Sequence, residues 1–305
     1  MRILISGSTG FVGMALVDAL ERRGDTLVRL VRPGTAQKNA AGSRVPTVEW
    51  DPVGGRFDAA GAEGADALVH LAGASIAEGR WNAERKGLLR TSRIDATRHL
   101  IGALAKLQRP PRTVVAASAI GYYGNRGDES LTEGSAPGND FLAGLCREWE
   151  AETARASEFG ARVVSERFGI ILAAHGGALP RMALPFKFGA GGRLGNGRQW
   201  MSWATLPEVL NIIQFSLANP GLSGPVNVVS PNPVRNLDFT HILANTLHRP
   251  ALFPAPAFAL RLALGEMADA LLLSSQKVMP SMLVENGYQF LQPDLAGALA
   301  EIYRN

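Results

Sequence analysis

Several features that are typical of secreted or membrane proteins are missing from this sequence of 305 residues. It contains one cysteine, Cys146, so an internal disulfide is impossible. No stretch of about 18 uncharged apolar residues is present to span a membrane. The start, Met1 and Arg2 before a short apolar run, lacks the cleavage region of a signal peptide. We therefore expect a cytoplasmic protein without a membrane partner.

Clusters of charge and of metal ligands are missing as well. The net charge is +4 with 19% charged residues, and lysine and arginine are scattered instead of forming a basic tract, which disfavours nucleic-acid binding. The five histidines show no ligand spacing, so no metal site is expected. The length and the hydrophobic fraction of 46% suit a dinucleotide-binding fold with an additional lobe.

The most informative motif that is present lies at the start of the chain. An apolar run gives way to Gly7, Gly10 and Gly13, and helical apolar spacing begins at Met14. Glycines at a strand-to-helix junction permit positive φ, close approach of a pyrophosphate and tight helix packing, while the helix N-terminus offers free N–H groups. The alternative is that the glycines only form a tight turn. The residues predicted to contact a dinucleotide here are Gly7, Ser8, Thr9, Gly10, Phe11, Val12 and Gly13.

The end of the second predicted strand, Thr26–Val31, favours NADP(H) over NAD(H). An acidic residue at this point would bind the ribose 2′-hydroxyl, whereas an arginine accepts the additional phosphate of NADP. Arg32 follows Val31 directly, and both are predicted cofactor contacts; Arg29 is expected to point elsewhere. The alternative is that Arg32 is a solvated surface residue.

Three later predicted strands, residues 66–73, 113–118 and 162–172, end at the same edge of the expected sheet. His70 lies inside the first of them, where a core histidine is expected. From these strands, the predicted cofactor contacts are Leu71, Ala72, Gly73, Ser118, Gly169, Ile170 and Ile171.

The alternation of strands and helices predicts an α/β fold with a doubly wound parallel sheet (Rossmann) and a smaller C-terminal substrate lobe. The glycine turn comes first in the chain and not near the end, which disfavours a barrel. We expect residues 1–172 to form the NAD(P)-binding domain, with the sheet completed by about residues 200–232. Residues 173–199 and 233–305 are expected to form the substrate lobe.

Ser118, Tyr122 and Tyr123 are the candidate catalytic residues, since hydroxyl groups near a nicotinamide suit proton transfer during hydride chemistry. The alternative is that the tyrosines only line a pocket.

With these pieces placed, the chain resembles the extended and atypical short-chain dehydrogenase/reductases, and within them the "epimerase family protein" branch, whose C-terminal segment is a domain of unknown function. The resemblance covers essentially the whole chain. The segments that carry it are Ile5–Gly13, Leu71–Gly73, Arg80–Trp81, Ser92–Ile94, Ser118–Gly124, Asp140–Phe141, Trp149–Glu150, Gly176–Leu179, Pro185–Phe186, Trp203, Gly224–Asn227, Arg249–Pro250, Gln276–Val278, Pro280 and Gly287–Phe290.

The chain departs from the superfamily at its catalytic Tyr-x-x-x-Lys pair. If Glu150 matches the glutamate four residues past the lysine, Leu142 takes the tyrosine position and Cys146 the lysine position. The usual upstream asparagine is replaced by Arg93, which we expect at the cofactor and which, by hypothesis, supplies the charge of the missing lysine. Cys146 is expected to pack in the interior, with a redox-sensitive thiol as the alternative.

Two functions are compatible with these departures. The first is an NADP(H)-binding oxidoreductase or epimerase-like protein that acts on an unknown small substrate. The second is a non-catalytic NADPH-binding redox sensor or regulatory module. Epimerisation through a conventional tyrosine base is disfavoured by Leu142 and Cys146. A homodimer is compatible with either function.

Overall fold

The computed structural model describes residues 1–34 and 45–304, and within them a seven-stranded parallel sheet is the central layer. Its strand order is β11-β7-β5-β4-β1-β2-β3. The strands are β1 (Arg2–Ser6), β2 (Thr26–Val31), β3 (Thr47–Glu49), β4 (Ala67–His70), β5 (Thr113–Ala119), β6 (Ser130–Leu131), β7 (Arg162–Phe168), β8 (Ile170–Leu172), β9 (Trp200–Met201), β10 (Trp203–Thr205), β11 (Gly224–Val228), β12 (Val234–Arg235) and β13 (Lys277–Val278). The order reverses between β1 and β4, so a crevice opens there at the carboxyl ends of the strands.

Helices cover both faces of the sheet and form much of the second lobe. They are α1 (Phe11–Arg23), α2 (Ala59–Ala62), α3 (Ala83–Arg90), α4 (Ala96–Leu104), α5 (Phe141–Ala154), α6 (Leu179–Lys187), α7 (Leu206–Ala218), α8 (Asn236–Leu247), α9 (Ala257–Leu264), α10 (Glu266–Ala268), α11 (Ser281–Glu285) and α12 (Leu295–Arg304). A π-helical turn, Thr91–Asp95, joins α3 to α4. None of the helices in the described ranges is long and apolar enough to cross a membrane.

Alternate residues of β1 point to opposite faces of the sheet, because side chains alternate along a strand, and each face is covered by different helices. Ile3 and Ile5 belong to a core cluster that includes apolar residues of α1 and α7. Leu4 belongs to a second cluster, which α4 covers from the opposite face. The predicted doubly wound parallel sheet is thereby confirmed.

The C-terminal lobe has its own apolar core, in which Trp203 and Phe239 are almost fully buried. Short two-stranded ladders, β6 with β13, β8 with β10 and β9 with β12, lie outside the main sheet. Of the segment 200–232, β11 joins the main sheet by pairing with β7. The division into a domain and a lobe at the expected boundaries stays a prediction.

Two predicted elements are interrupted at glycines. The strand expected over 162–172 changes partners at Gly169, whose N–H donates to the Val228 carbonyl, while the Ile170 N–H donates to Ser202. The chain therefore passes from the main sheet to the β8–β10 ladder. The long helix expected from Ala257 ends at Gly265, where φ is 64°. A positive φ is available to glycine and cannot continue a right-handed helix.

Candidate cofactor and active site

The glycine turn between β1 and α1 is packed so closely that side chains would not fit. A Cβ on Gly13 would lie 2.1 Å from the Gly7 carbonyl oxygen. Gly7 has φ of 69°, and a Cβ there would lie 2.7 Å from the Leu71 carbonyl carbon. The turn therefore brings α1 close to β1, and the backbone of Leu71 and Ala72 lies beside Gly7.

The N-terminus of α1 is open toward the crevice. Its N-cap, Gly10, makes no side-chain capping bond, the first turn has no acidic residue, and Thr9 and Gly10 are exposed. The first N–H groups of such a helix are available to an anion, which fits the pyrophosphate of a dinucleotide. Phe11, the first residue of α1, packs against Gly176. A Cβ on that glycine would lie 2.4 Å from the Phe11 ring.

Arg29 lies at the glycine turn, which corrects the expectation that it points elsewhere. Its Nε donates a 3.0 Å hydrogen bond to Oγ of Ser8, which is buried. Arg32 is exposed just after Val31, at the carboxyl end of β2. Strand alternation places Arg29 and Arg32 on opposite faces of the strand. The side chain of Arg29 is nevertheless long enough to reach Ser8 in the glycine turn.

Arg93 packs against Gly73, just beyond the carboxyl end of β4. A Cβ on Gly73 would lie 3.2 Å from its Cζ, and its Nη2 donates to the Ala74 carbonyl over 2.9 Å. The guanidinium also lies 5.1 Å from the centre of the Trp149 ring. Burial lowers the pKa of Arg93, and in the part of the chain that the structure describes it has no carboxylate within 4.0 Å. Its charge is thus free to meet an anion.

Leu142 and Cys146 lie on the inner face of α5, in the positions assigned to the missing pair. Both are buried. Burial raises the pKa of the Cys146 thiol to about 12, with a further contribution from Glu150. Such a thiol stays protonated near neutral pH, which agrees with a packing role and not with a reactive thiolate.

Ser118 belongs to a buried polar network at the end of β5. Its hydroxyl donates to Oε1 of Glu150 over 2.6 Å, and Nε and Nη2 of Arg167 donate to the same carboxylate, each over 2.8 Å. Burial lowers the pKa of Arg167, but the hydrogen bonds that it donates to Glu150, the charge of Glu150 and the contact with Tyr123 together outweigh burial and raise this pKa. Arg167 was not identified from the sequence; the signal was a charged residue within an otherwise buried strand.

The structure separates the two candidate tyrosines. Tyr123 is fully buried, donates to Asn227 and accepts from Arg167, and burial raises its pKa to about 12. The network encloses its hydroxyl, and this burial argues against Tyr123 as a catalytic residue. Tyr122 is half-buried, with the Arg167 guanidinium 3.5 Å from its ring centre. It remains a candidate together with Ser118.

The remaining predicted contacts lie where β7 passes into β8. A Cβ on Gly169 would lie 2.7 Å from the Ser202 carbonyl oxygen, so this glycine permits close packing, and Ile170 and Ile171 are partly buried. Inside β4, His70 is fully buried between Ser6 and Thr97, and burial lowers its pKa to about 4. It is a neutral core residue. Within residues 1–34 and 45–304, no three His, Cys, Asp or Glu side chains are arranged to hold a metal ion.

Comparison with known families agrees with this geometry. Residues 3–229 match the NAD dependent epimerase/dehydratase family, and residues 255–302 match a domain of unknown function, DUF1731. The first range contains the glycine turn and, apart from Arg2, all residues of the strands of the parallel sheet.

Individual relatives match over nearly their full length. The epimerase family protein Mb2239 of Mycobacterium bovis is 41% identical over 297 residues, which cover 97% of this chain and 96% of the relative. The epimerase family protein YfhF of Bacillus subtilis is 38% identical, covering 99% and 98%. Among solved structures, the human epimerase family protein SDR39U1 (isoform 2), crystallised with NADPH, is 32% identical and superposes with a TM-score of 0.89 over 100% of both chains.

Proposed function

This chain belongs to the NAD dependent epimerase/dehydratase family, and from that premise we propose that it binds NADP(H) and acts as an oxidoreductase or epimerase on a small substrate. The glycine turn and the open N-terminus of α1 support binding of a dinucleotide. The human relative crystallised with NADPH supports the choice of cofactor. The same choice is favoured by Arg32 at the end of β2, where an acidic residue would favour NAD.

Each part of the cofactor has candidate partners in the crevice. The first N–H groups of α1 would hold the pyrophosphate, and Arg32 would meet the 2′-phosphate, with Arg29 fixing Ser8 in the turn. Leu71–Gly73 would border the nicotinamide half through their backbone. When bound, NADPH supplies the hydride that this chain's own side chains cannot supply.

The observation that carries the proposal is the position of Arg93. Its guanidinium lies against Gly73 and near Cys146, the residue at the usual lysine position, and no carboxylate of the described residues neutralises it. We infer that Arg93 provides, from the preceding helical segment, the positive charge toward the cofactor ribose that lysine provides in ordinary members.

Proton transfer would then fall to Ser118, at the end of β5, or to Tyr122, in the turn that follows this strand. The second candidate function, a non-catalytic NADPH-binding sensor, is favoured by a different observation. Tyr123 is enclosed, and Leu142 and Cys146 offer no usual acid or base. Loss of turnover with retention of the cofactor would follow from that arrangement.

Fluorescence titration with NADPH and NADH tests the cofactor. We expect NADPH to bind at least about tenfold more tightly, and Arg32→Ala to remove the preference. Equal affinities of the wild type for both nucleotides would contradict the assignment.

A second experiment separates the enzyme from the sensor. A panel of carbonyl compounds is tested with the wild type, Ser118→Ala and Tyr122→Phe, and turnover is followed by NADPH absorbance. Tight NADPH binding without turnover across the panel would favour the sensor.

A further inference from the structure

The loop that follows Gly73, residues 74–82, is bounded by arginines from three separate elements. Arg93 donates to the Ala74 carbonyl over 2.9 Å, Arg85 of α3 donates to the Ser75 carbonyl, and Arg181 of α6 donates to the Ala77 carbonyl over 3.1 Å. We call the loop 74–82 together with Arg85, Arg93 and Arg181 the arginine loop. Three positive charges thus converge on one short segment of backbone.

The positive charge of the arginine loop is poorly neutralised by the protein. Its one acidic residue, Glu78, is 72% exposed and lies 3.5 Å from Arg85, in a contact that solvent weakens. Among the residues that the structure describes, Arg93 and Arg181 form no ion pair. The backbone carbonyls occupy one or two donors of each guanidinium, which has five N–H groups.

Arg85 has a donor without an acceptor. Its side chain is only 16% exposed, and in the described ranges its buried Nε–H finds no hydrogen-bond partner. A buried donor that lacks an acceptor is costly, so such groups are normally satisfied by protein, water or ligand. Arg93 and Arg85 donate to the carbonyls of two consecutive residues, Ala74 and Ser75, so the two cations lie near each other, and the Arg85 charge adds to the burial that lowers the pKa of Arg93. An anion bound between Arg85 and Arg93 would accept a hydrogen bond from the unpaired donor and would reduce the repulsion between the two positive charges.

The arginine loop lies at the junction of the two parts of the molecule. Arg93 borders Gly73 at the cofactor edge, whereas Arg181 comes from α6, whose core side packs into the cluster of the C-terminal lobe. A group bound here would therefore lie beside the cofactor on the side of the lobe.

We propose that the arginine loop binds an anionic group of the substrate, a carboxylate or a phosphate. The proposal rests on the proposed function, because it assumes that the small molecule acted on is held next to the cofactor. Arginine suits this role because its planar fork donates two parallel hydrogen bonds to carboxylate or phosphate oxygens. A neutral substrate would leave the buried donor of Arg85 and the charges around it uncompensated.

The test uses the protein saturated with NADPH, so that the phosphates of the cofactor occupy their own sites. Inorganic phosphate and malonate are titrated separately by calorimetry at constant ionic strength. We expect saturable binding of at least one probe, and the stronger probe indicates whether the substrate carries a phosphate or a carboxylate. Arg85→Gln should weaken that binding about tenfold or more. The control is Arg155→Gln, a surface arginine paired with Glu152 and Glu158, which should change nothing.

Two readouts keep failure interpretable. If Arg85→Gln retains NADPH affinity and loses the probe, the proposal is supported; if the variant does not fold, the exposed Arg181→Gln takes its place with the same expected loss. No saturable binding of either probe, or equal binding by wild type and both variants, would overturn the proposed anion site.

If the wild type fails to bind NADPH, the proposed function fails. The same probes are then titrated against cofactor-free wild type and Arg181→Gln, where equal binding overturns the anion site separately.

Discussion

The hydroxyl of Ser118 donates its proton to the carboxylate of Glu150 across 2.6 Å. Arg167 donates to both oxygens of that carboxylate, from Nε to Oε1 and from Nη2 to Oε2, each over 2.8 Å, and the Arg167 side chain is only 3% exposed. The Ser118 oxygen can still accept a hydrogen bond from a substrate, but its O–H already donates to Glu150 and is not available to donate to the substrate. Any proton that passes through Ser118 must therefore be exchanged with Glu150.

Removing the carboxylate should cost far more stability than removing the serine hydroxyl. Glu150→Ala leaves the buried charge of Arg167 without its partner, and we expect a loss of about 3–5 kcal/mol in the free energy of unfolding. Ser118→Ala removes one hydrogen bond and keeps the ion pair, with an expected loss of about 1 kcal/mol. Urea unfolding of the two variants measures both values. Similar losses would mean that the ion pair contributes little.

The same glycine-to-alanine change in two helices should have opposite effects. Gly13→Ala in α1 places a Cβ 2.1 Å from the Gly7 carbonyl oxygen, so the turn must move, and we expect lower stability and NADPH affinity reduced about tenfold or more. Gly144→Ala in α5 meets no atom within 4 Å and should stabilise the protein by up to about 1 kcal/mol. Thermal unfolding and NADPH titration of both variants make the comparison; unchanged NADPH affinity in Gly13→Ala would contradict it.

The two neighbouring tyrosines should separate stability from activity. Tyr123→Phe removes the hydroxyl that donates to Oδ1 of Asn227 and accepts from Nη1 of Arg167, and the loss of these two buried hydrogen bonds should cost about 1–3 kcal/mol. The hydroxyl of Tyr122 makes no hydrogen bond to any residue in the described part of the chain, so Tyr122→Phe should change stability by less than about 0.5 kcal/mol. If the protein turns over a substrate, a loss of rate confined to Tyr122→Phe would support that hydroxyl as the proton donor. Equal destabilisation of the two variants would contradict the assignment.

Glu166 should make stability depend on pH. It is fully buried in β7 with a hydrogen bond from Ser216, and burial raises its pKa from 4.5 to about 8. Because the folded state holds this proton more tightly than the unfolded state, the stability that Glu166 contributes is greatest below about pH 4.5 and falls as pH rises to about 8. Relative to Glu166→Gln, the wild type should lose about 1.4 kcal/mol per pH unit in that window.

Urea unfolding of the wild type and Glu166→Gln at pH 5, 6, 7 and 8 measures this difference. The depressed pKa of His70 also contributes to the pH dependence of each protein, but it is common to both and cancels in the comparison. A difference that stays constant with pH would show that Glu166 ionises normally.

Lysine at position 146 should replace the charge of Arg93. We expect Arg93→Ala to weaken NADPH binding about tenfold or more, and Arg93→Ala with Cys146→Lys to recover part of it, because the ammonium would occupy the usual lysine position. Arg90→Ala, which removes a surface arginine paired with Glu148, is the control and should bind NADPH normally. Fluorescence titration compares these variants. An Arg93→Ala protein with undiminished NADPH affinity would remove the role assigned to Arg93.

Much of the fold was readable from local pattern. The glycine turn, the strands β2 and β5 and the helices α7 and α8 lie within about a residue or two of their predicted positions, because each has a strong period and clear end signals. The exceptions, Gly169 and Gly265, lie where the chain changes partner or direction. Such changes depend on which distant strand or helix is adjacent, and periodicity carries no information about that.

For the site, the sequence by itself determined which residues lie at the carboxyl edge of the sheet, since consecutive parallel strands all end there. It also determined that the usual tyrosine and lysine are missing, because Leu142 has no ionisable group and Cys146 cannot carry the positive charge of a lysine. Only the tertiary structure decided what the remaining polar groups contact. Tyr122 and Tyr123 are adjacent in sequence, yet only one is enclosed, and the arginines of the loop come from segments about 100 residues apart. Side-chain partners across such separations are set by packing of whole elements, which no local pattern encodes.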